Sequence, residues 1–232
     1  MKFHTTNPAT EQKIREYETI SKEKALKIVE DMKKDRTWAR TDILERQKKL
    51  KSLASVIRKN SKEYAGSMTE EMGKPISQSL AEVEKCAWTA EVYSQNSAKW
   101  LADETASADG KKHLITFEPL GTVLAIMPWN FPFWQAFRFA IPAMVAGNTS
   151  ILKHSNVVPQ CALAIEGAFV EAGFPEHSFK TVIADHETVS ELIRVVDGVS
   201  ITGSVGAGER VARVCVARSR SSPSRACSPS II

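Results

Sequence analysis

The 232-residue sequence is 43% hydrophobic and carries a formal net charge of +4, an ordinary make-up for a globular chain with a sizeable core. Arg213, Arg218, Arg220 and Arg225 supply that whole excess from the last twenty residues, which contain no acid, so Met1 to Ala212 is neutral. This placement argues against a nucleic-acid partner, which needs a folded basic face. Cys86, Cys161, Cys215 and Cys227 show no CxxC spacing, which favours a reducing, cytoplasmic setting over a disulfide framework. The start MKFHTTNPATEQ lacks the apolar stretch of a signal peptide. The most apolar window, Phe131 to Gly147, is too short to cross a bilayer.

Asn7-Pro8 is a turn signal, and Ile14 to Ile20 reads as an early strand or hairpin. Ser21 fits the N-cap of a helix to Met32, with Lys24 rather than Glu at the capping-box position. A second helix is expected over about Thr41 to Asn60, where Ile43, Leu44, Leu50, Leu53, Val56 and Ile57 recur at helical spacing beneath a solvated lysine-rich face. Ser61 fits the cap of a third helix to Met72, Gly73-Lys74-Pro75 breaks it, and a fourth runs from Ile76 to about Trp100. No chemistry is legible in these four helices. The polar stretch Asp103 to Lys112 fits a surface turn, and His113 to Phe117 an exposed strand.

The segment from Glu118 to Lys153 has the order of one βαβ unit. Val123 to Met127 is an unbroken apolar run, as in a parallel strand covered on both faces. Pro128 and Pro132 interrupt regular structure around Trp129 and Asn130. Phe133 to Ala146 has helical length, Gly147-Asn148 stops it, and Thr149 to Leu152 forms the next strand. Asn130 and Lys153 would each lie just past a strand end, on the edge where open parallel sheets bind ligands. A helix to Ala172, a strand over Phe179 to Ala184, a helix over Glu187 to Val195 and a strand over Val199 to Thr202 follow. Gly203 to Gly208 reads as a glycine-rich turn into a final helix. The alternation predicts an α/β fold with a parallel sheet. Past Ala212 the sequence is rich in serine and shows no amphipathic period. It reads either as a disordered regulatory tail or as the product of a reading-frame error or truncation scar, the second reading being preferred.

Asn130 suits either an oxyanion donor or a turn residue bonding its own backbone. Lys153 suits either a ribose or phosphate contact or a solvated lysine. The spacing in Gly203 to Gly208 allows a phosphate cradle or a plain tight turn. Arg138, amid Phe133, Trp134, Phe137 and Phe139, needs an anionic partner or access to water, so it is a structural ion pair or a carboxylate anchor. Cys161 fits core packing.

Together, Pro128-Trp129-Asn130-Phe131-Pro132, Ala146-Gly147-Asn148, Leu152-Lys153, Ala172-Gly173-Phe174-Pro175 and Thr202-Gly203-Ser204 resemble the NAD(P)-dependent aldehyde dehydrogenase superfamily. Phe133-Trp134-Gln135 with Arg138, and Lys153-His154-Ser155, are similar to its succinate-semialdehyde dehydrogenase-like branch. The resemblance implies an aldehyde substrate, NAD or NADP as cofactor, no metal and a homo-oligomeric full-length form. It implies Asn130 as oxyanion-hole residue and Arg138 as substrate-carboxylate contact. It places Met127, Pro128, Trp129, Lys153, Ser155, Asn156, Gly203, Ser204 and Gly208 on the dinucleotide. Asn156 stands where NAD-preferring members often carry Glu, which would admit a 2′-phosphate. The family's nucleophilic Cys and general-base Glu lie in motifs absent from this sequence, and none of the four cysteines matches. The expectation is an aldehyde dehydrogenase-like fold truncated before the catalytic domain, and inactive alone. Its parts would be N-terminal helices over 1–100, oligomerisation-arm strands over 101–117, Rossmann-like βα units over 118–212 and an aberrant tail over 213–232.

Overall fold

The computed structural model describes residues 1–107, 109–110, 113–221 and 229–231. The chain opens with an antiparallel hairpin of β1 (Lys2–Thr6) and β2 (Lys13–Glu18). Helix α1 (Lys22–Lys34) starts where the Ser21 hydroxyl accepts from the Lys24 N–H at 3.3 Å. A short α2 (Thr37–Arg40) precedes α3 (Ile43–Lys59), capped by Asp42. Helix α4 (Ser61–Met72) has Asn60 at its N-cap, so Ser61 is its first residue and not the expected cap; it stops at Gly73, whose φ of +74° is left-handed, and Pro75 then admits α5 (Ile76–Trp100). Strands β3 (Glu104–Ala106) and β4 (His113–Ile115) pair antiparallel, so the expected exposed strand acquires a partner.

Then come β5 (Thr122–Met127), α6 (Pro132–Val145), β6 (Thr149–His154), α7 (Pro159–Glu171), β7 (Phe179–Thr181), α8 (His186–Val195), β8 (Gly198–Ile201), α9 (Val205–Ser221) and β9 (Pro229–Ile231). The five strands form one parallel sheet in the order β7-β6-β5-β8-β9, with β5 central. Side chains of β5 alternate between two cores. Ala125 and Met127 join Leu53, Phe133, Phe137 and Phe169 beneath α3 to α7. Leu124 joins Val29, Ile151, Leu192, Val199 and Val211 beneath α1, α8 and α9. The result is three layers, helices–sheet–helices.

The far end of α6 is tied down by the N-terminal helices. Arg46 Nη1 donates to the Val145 carbonyl at 2.6 Å and Trp38 Nε1 to the Met144 carbonyl at 2.9 Å. These bonds satisfy carbonyls that a helix C-terminus leaves open.

Three expectations need correction. Strand β6 runs to His154, two residues beyond Leu152, because Lys153 and His154 pair with Ile126 and Met127 of β5; Lys153 is therefore a strand residue. The glycine turn is shorter than Gly203 to Gly208, since Ser204 caps a helix that already contains Gly206 and Gly208. Helix α9 also passes Ala212 and continues to Ser221. Ala207, Val211, Val214 and Cys215 give it an apolar face against the second core, a helical spacing that the serine-rich composition masks. The rest of the expected tail, 222–228 and 232, lies outside the described residues.

Candidate active site at the carboxyl edge of the sheet

The loops after β5, β6 and β8 meet at one sheet edge. The Ser155 N–H donates to the Met127 carbonyl and the Thr202 N–H to the Ile126 carbonyl, each at 3.0 Å. Asn130, Ser155, Asn156, Gly203 and Ser204 thus share the edge where parallel sheets bind ligands.

Asn130 is exposed between Trp129 and Phe131, which are 48% and 44% exposed. Its side chain makes no hydrogen bond among the described residues, which distinguishes it from a turn asparagine bonding its own backbone. The loop is instead fastened just after Asn130. Glu82 Oε1 accepts the Trp134 N–H at 2.8 Å, and Glu82 Oε2 is bonded to Lys74 Nζ. Lys74 Nζ lies 3.8 Å from the centre of the Phe131 ring. His154 Nδ1 accepts from the Ser155 N–H, which leaves Nε2–H to donate to the Pro132 carbonyl at 2.9 Å. Burial of the imidazole lowers its pKa to about 4, so the ring is neutral at pH 7. The α4–α5 break and helix α5, in a stretch whose sequence shows no chemistry, therefore reach the site through Lys74 and Glu82.

Four helices begin at this edge, and their N-termini are treated differently. Glu71 accepts the Gln160 N–H at 2.7 Å and the Cys161 N–H at 3.0 Å at the start of α7. Glu82 serves α6, and Asp185 accepts the Thr188 N–H at 2.8 Å in α8. Each of these starts holds a protein carboxylate, the group such N-termini favour. Helix α9 differs: its cap is the neutral Ser204, whose Oγ accepts the Ala207 N–H at 3.3 Å. Gly203 and Ser204 are exposed there. A Cβ placed on Gly203 or Gly206 would meet no neighbour closer than 3.8 Å, so protein packing does not demand glycine at either position. Gly208, by contrast, is buried one turn inside α9.

Lys153 pairs with Ile126, whose side chain packs against the second core, on the α9 side of the sheet. It is half-buried, burial lowers its pKa, and it has no carboxylate partner among the described residues. Helix α6 belongs to the opposite side. Arg138, half-buried on α6, donates from Nη2 to Gln135 Oε1 at 3.1 Å and makes no ion pair among the described residues. It lines a trough of about 380 Å³ with Met127, Phe139, Pro142, Ser200 and Thr202. A second cleft of about 460 Å³, lined by Gln78, Lys85, Phe131, Trp134 and Gln135, lies between α5 and α6. Arg138 borders the first cavity and reaches the second only through Gln135.

Cys86 and Cys161 are free and buried, and Cys215 is buried. Burial pushes the thiols of Cys86 and Cys161 well above their usual pKa, opposite to the shift that activates a nucleophile. Cys227 lies outside the described residues. The described residues contain no cluster of three metal-ligating side chains and no helix long and apolar enough to cross a membrane.

The description "Aldehyde dehydrogenase family" matches residues 1–223. This chain belongs to the aldehyde dehydrogenase family. Among its relatives, a probable succinate-semialdehyde dehydrogenase [NADP(+)] of Synechocystis sp. is 42% identical, over 90% of this chain and 46% of that protein. The succinate semialdehyde dehydrogenase [NAD(P)+] Sad of Escherichia coli is 40% identical, over 76% of this chain and 38% of its own length. A crystal structure of succinic semialdehyde dehydrogenase from Streptococcus pyogenes, in complex with NADP+, superposes with a TM-score of 0.92 at 26% identity. The superposition covers 99% of this chain and 50% of that one. The aldehyde dehydrogenase fold expected from the motifs is thus the fold observed, and the chain spans about half the length of the relatives it matches.

Proposed function

We propose that this chain is the dinucleotide-binding part of an NAD(P)-dependent enzyme that oxidises a carboxylate-bearing aldehyde, such as succinate semialdehyde, to the acid. The observation that carries the reading is the neutral start of α9, with Lys153 on the same side of the sheet. Three of the four helix starts at the edge already hold carboxylates, so the phosphates of a dinucleotide find open N–H groups at Gly203 to Gly206. Lys153 sits where a ribose hydroxyl or phosphate would be held. Asn156, neutral and exposed, adds no charge to repel a 2′-phosphate. The names of the relatives, several specifying NADP(+), agree with that choice.

When bound, the nicotinamide supplies the electron acceptor for oxidation of the aldehyde carbon. Asn130 would donate its amide N–H to the oxygen of an aldehyde under thiolate attack. One such donor is worth about 3 kcal/mol of barrier. Arg138 would hold the substrate carboxylate, and β3–β4 would serve contacts between copies of the full-length enzyme. Cys86 and Cys161, buried with raised pKa, are unsuited to form the thiolate. The chain alone should bind dinucleotide without turning aldehyde over.

Isothermal titration with NADP+ and NAD+ tests the binding part: Lys153→Ala should weaken affinity by about tenfold, the scale of one charge-assisted contact. Unchanged affinity removes Lys153 from the site. Formation of reduced dinucleotide by the pure chain with succinate semialdehyde would overturn its proposed inactivity.

A further inference from the structure

We propose that Lys74 and Glu82 are positioning residues whose buried pair fixes the turn that presents Asn130. The proposal rests on reading Asn130 as the oxyanion donor, and its test reads the turn directly, without dinucleotide or aldehyde. Failure of the functional reading and failure of this one are therefore separate results.

Helix α6 begins at a place where its own sequence offers no cap. Phe131 occupies the N-cap position without a side-chain hydrogen bond, and Pro132 fills the first turn. The missing acceptor comes from α5, 52 residues earlier in the chain, as Glu82 Oε1 on the Trp134 N–H. The other oxygen of Glu82 holds Lys74, and the Lys74 ammonium rests on the Phe131 ring. Lys74 and Glu82 are only 6% and 5% exposed. The Lys74 carbonyl accepts from Thr69 Oγ1 at 2.8 Å, which anchors its backbone in the α4–α5 break.

Burying an ion pair gives little net stability, and apolar residues of similar volume commonly do as well or better. What an apolar pair cannot do is accept the Trp134 N–H and place a cation on Phe131. Together with His154 on the Pro132 carbonyl, these contacts fix residues 131, 132 and 134 from outside the loop. Asn130 immediately precedes them and has no hydrogen bond of its own among the described residues. Its direction is thus set by its neighbours. The charged groups facing the turn are Lys74, Glu82 and Lys85, the last lying over the Trp134 ring at 3.8 Å.

The test compares the parent chain with Glu82→Gln and with the double variant Lys74→Met/Glu82→Leu, by thermal unfolding and residue-resolved amide hydrogen exchange. The double variant replaces the pair by apolar residues and should unfold within about 5 °C of the parent, as such replacements are commonly tolerated. Exchange of the amides of Trp134 and of Gln135, which donates to the Phe131 carbonyl at 2.9 Å, should nevertheless rise by about tenfold or more while those of Ala125 to Met127 keep the parent rate, the signature of local opening. Glu82→Gln keeps an amide oxygen for Trp134, so that N–H should stay within about threefold of the parent rate. Turn amides unchanged in the double variant would overturn the proposal. So would failure of that variant to fold, or a loss of protection spread equally through α3 and β5, since either makes the pair part of the core. Loss of Trp134 protection in Glu82→Gln equal to that in the double variant would also overturn it.

Discussion

His154 shows how a single side chain can be read from its hydrogen bonds. With Nδ1 accepting and Nε2 donating, both nitrogens are used only if the ring is neutral. Its folded-state pKa of about 4 lies below the ordinary value of 6.5. As pH falls, the unfolded chain takes up the proton first. The contribution to stability is therefore complete above pH 6.5 and lost on the way to pH 4, by about 3 kcal/mol in all. Urea unfolding at pH 7 and pH 4.5 should show a larger drop for the parent than for His154→Gln; equal drops would mean that the ring is not held neutral. Asn156 gives a second prediction. Asn156→Glu should lower NADP+ affinity by about fivefold relative to NAD+, since a carboxylate near a 2′-phosphate costs about 1 kcal/mol at an exposed site. Equal effects on the two nucleotides would place Asn156 away from the ribose. Asn130 and Lys153 could be singled out from the sequence because both follow apolar strand runs. Glu71 and Glu82 could not, because their partners lie 89 and 52 residues away and nothing local marks them.

At the scale of elements, most helices announced themselves through caps and apolar spacing: Ser21, Ser61, Gly73 and Pro159 fall within a residue of the observed boundaries. The misses share a cause. The apolar run of β6 ends at Leu152, two residues before the strand does, because pairing with β5 carries the strand through the polar Lys153 and His154. The end of α9 is hidden because the serines from Ser219 onward set the character of the whole C-terminal stretch, while only the buried face of Val211, Val214 and Cys215 keeps the helical period. Fold class, which rests on the alternation of elements, was legible throughout. The division of helix starts between carboxylate and neutral caps was not, since it depends on which helices pack together. Glu71 makes that division testable. Glu71→Ala leaves the Gln160 and Cys161 N–H groups without their acceptor at a buried helix start, and should cost about 2 kcal/mol by urea unfolding. A loss below about 0.5 kcal/mol, the scale of an ordinary surface substitution, would show that the cap contributes little.

For the whole molecule, the sheet separates the two tasks assigned to it. Lys153 and α9 lie on one side, α6 with Arg138 on the other, and β5 joins them. A ligand bound by the folded chain alone stabilises all three layers together. NADP+ at about a hundred times its dissociation constant should add about 2.7 kcal/mol to unfolding. At the same NADP+ concentration Lys153→Ala should show a smaller gain. An equal gain would place the nucleotide elsewhere.

Ser204 gives the unequal helix starts a last consequence. Its hydroxyl is what distinguishes the start of α9 from those of α6, α7 and α8, so under the proposed function admission of an anion at this edge would hang on one oxygen lacking a charge. Ser204→Asp would still cap α9, yet it would put a fixed negative charge where the proposed function has a phosphate approach. The fold would survive intact while the edge became closed to nucleotides. Among family members, the residue at this position would then tell a working cofactor domain from a silent copy of the same shape.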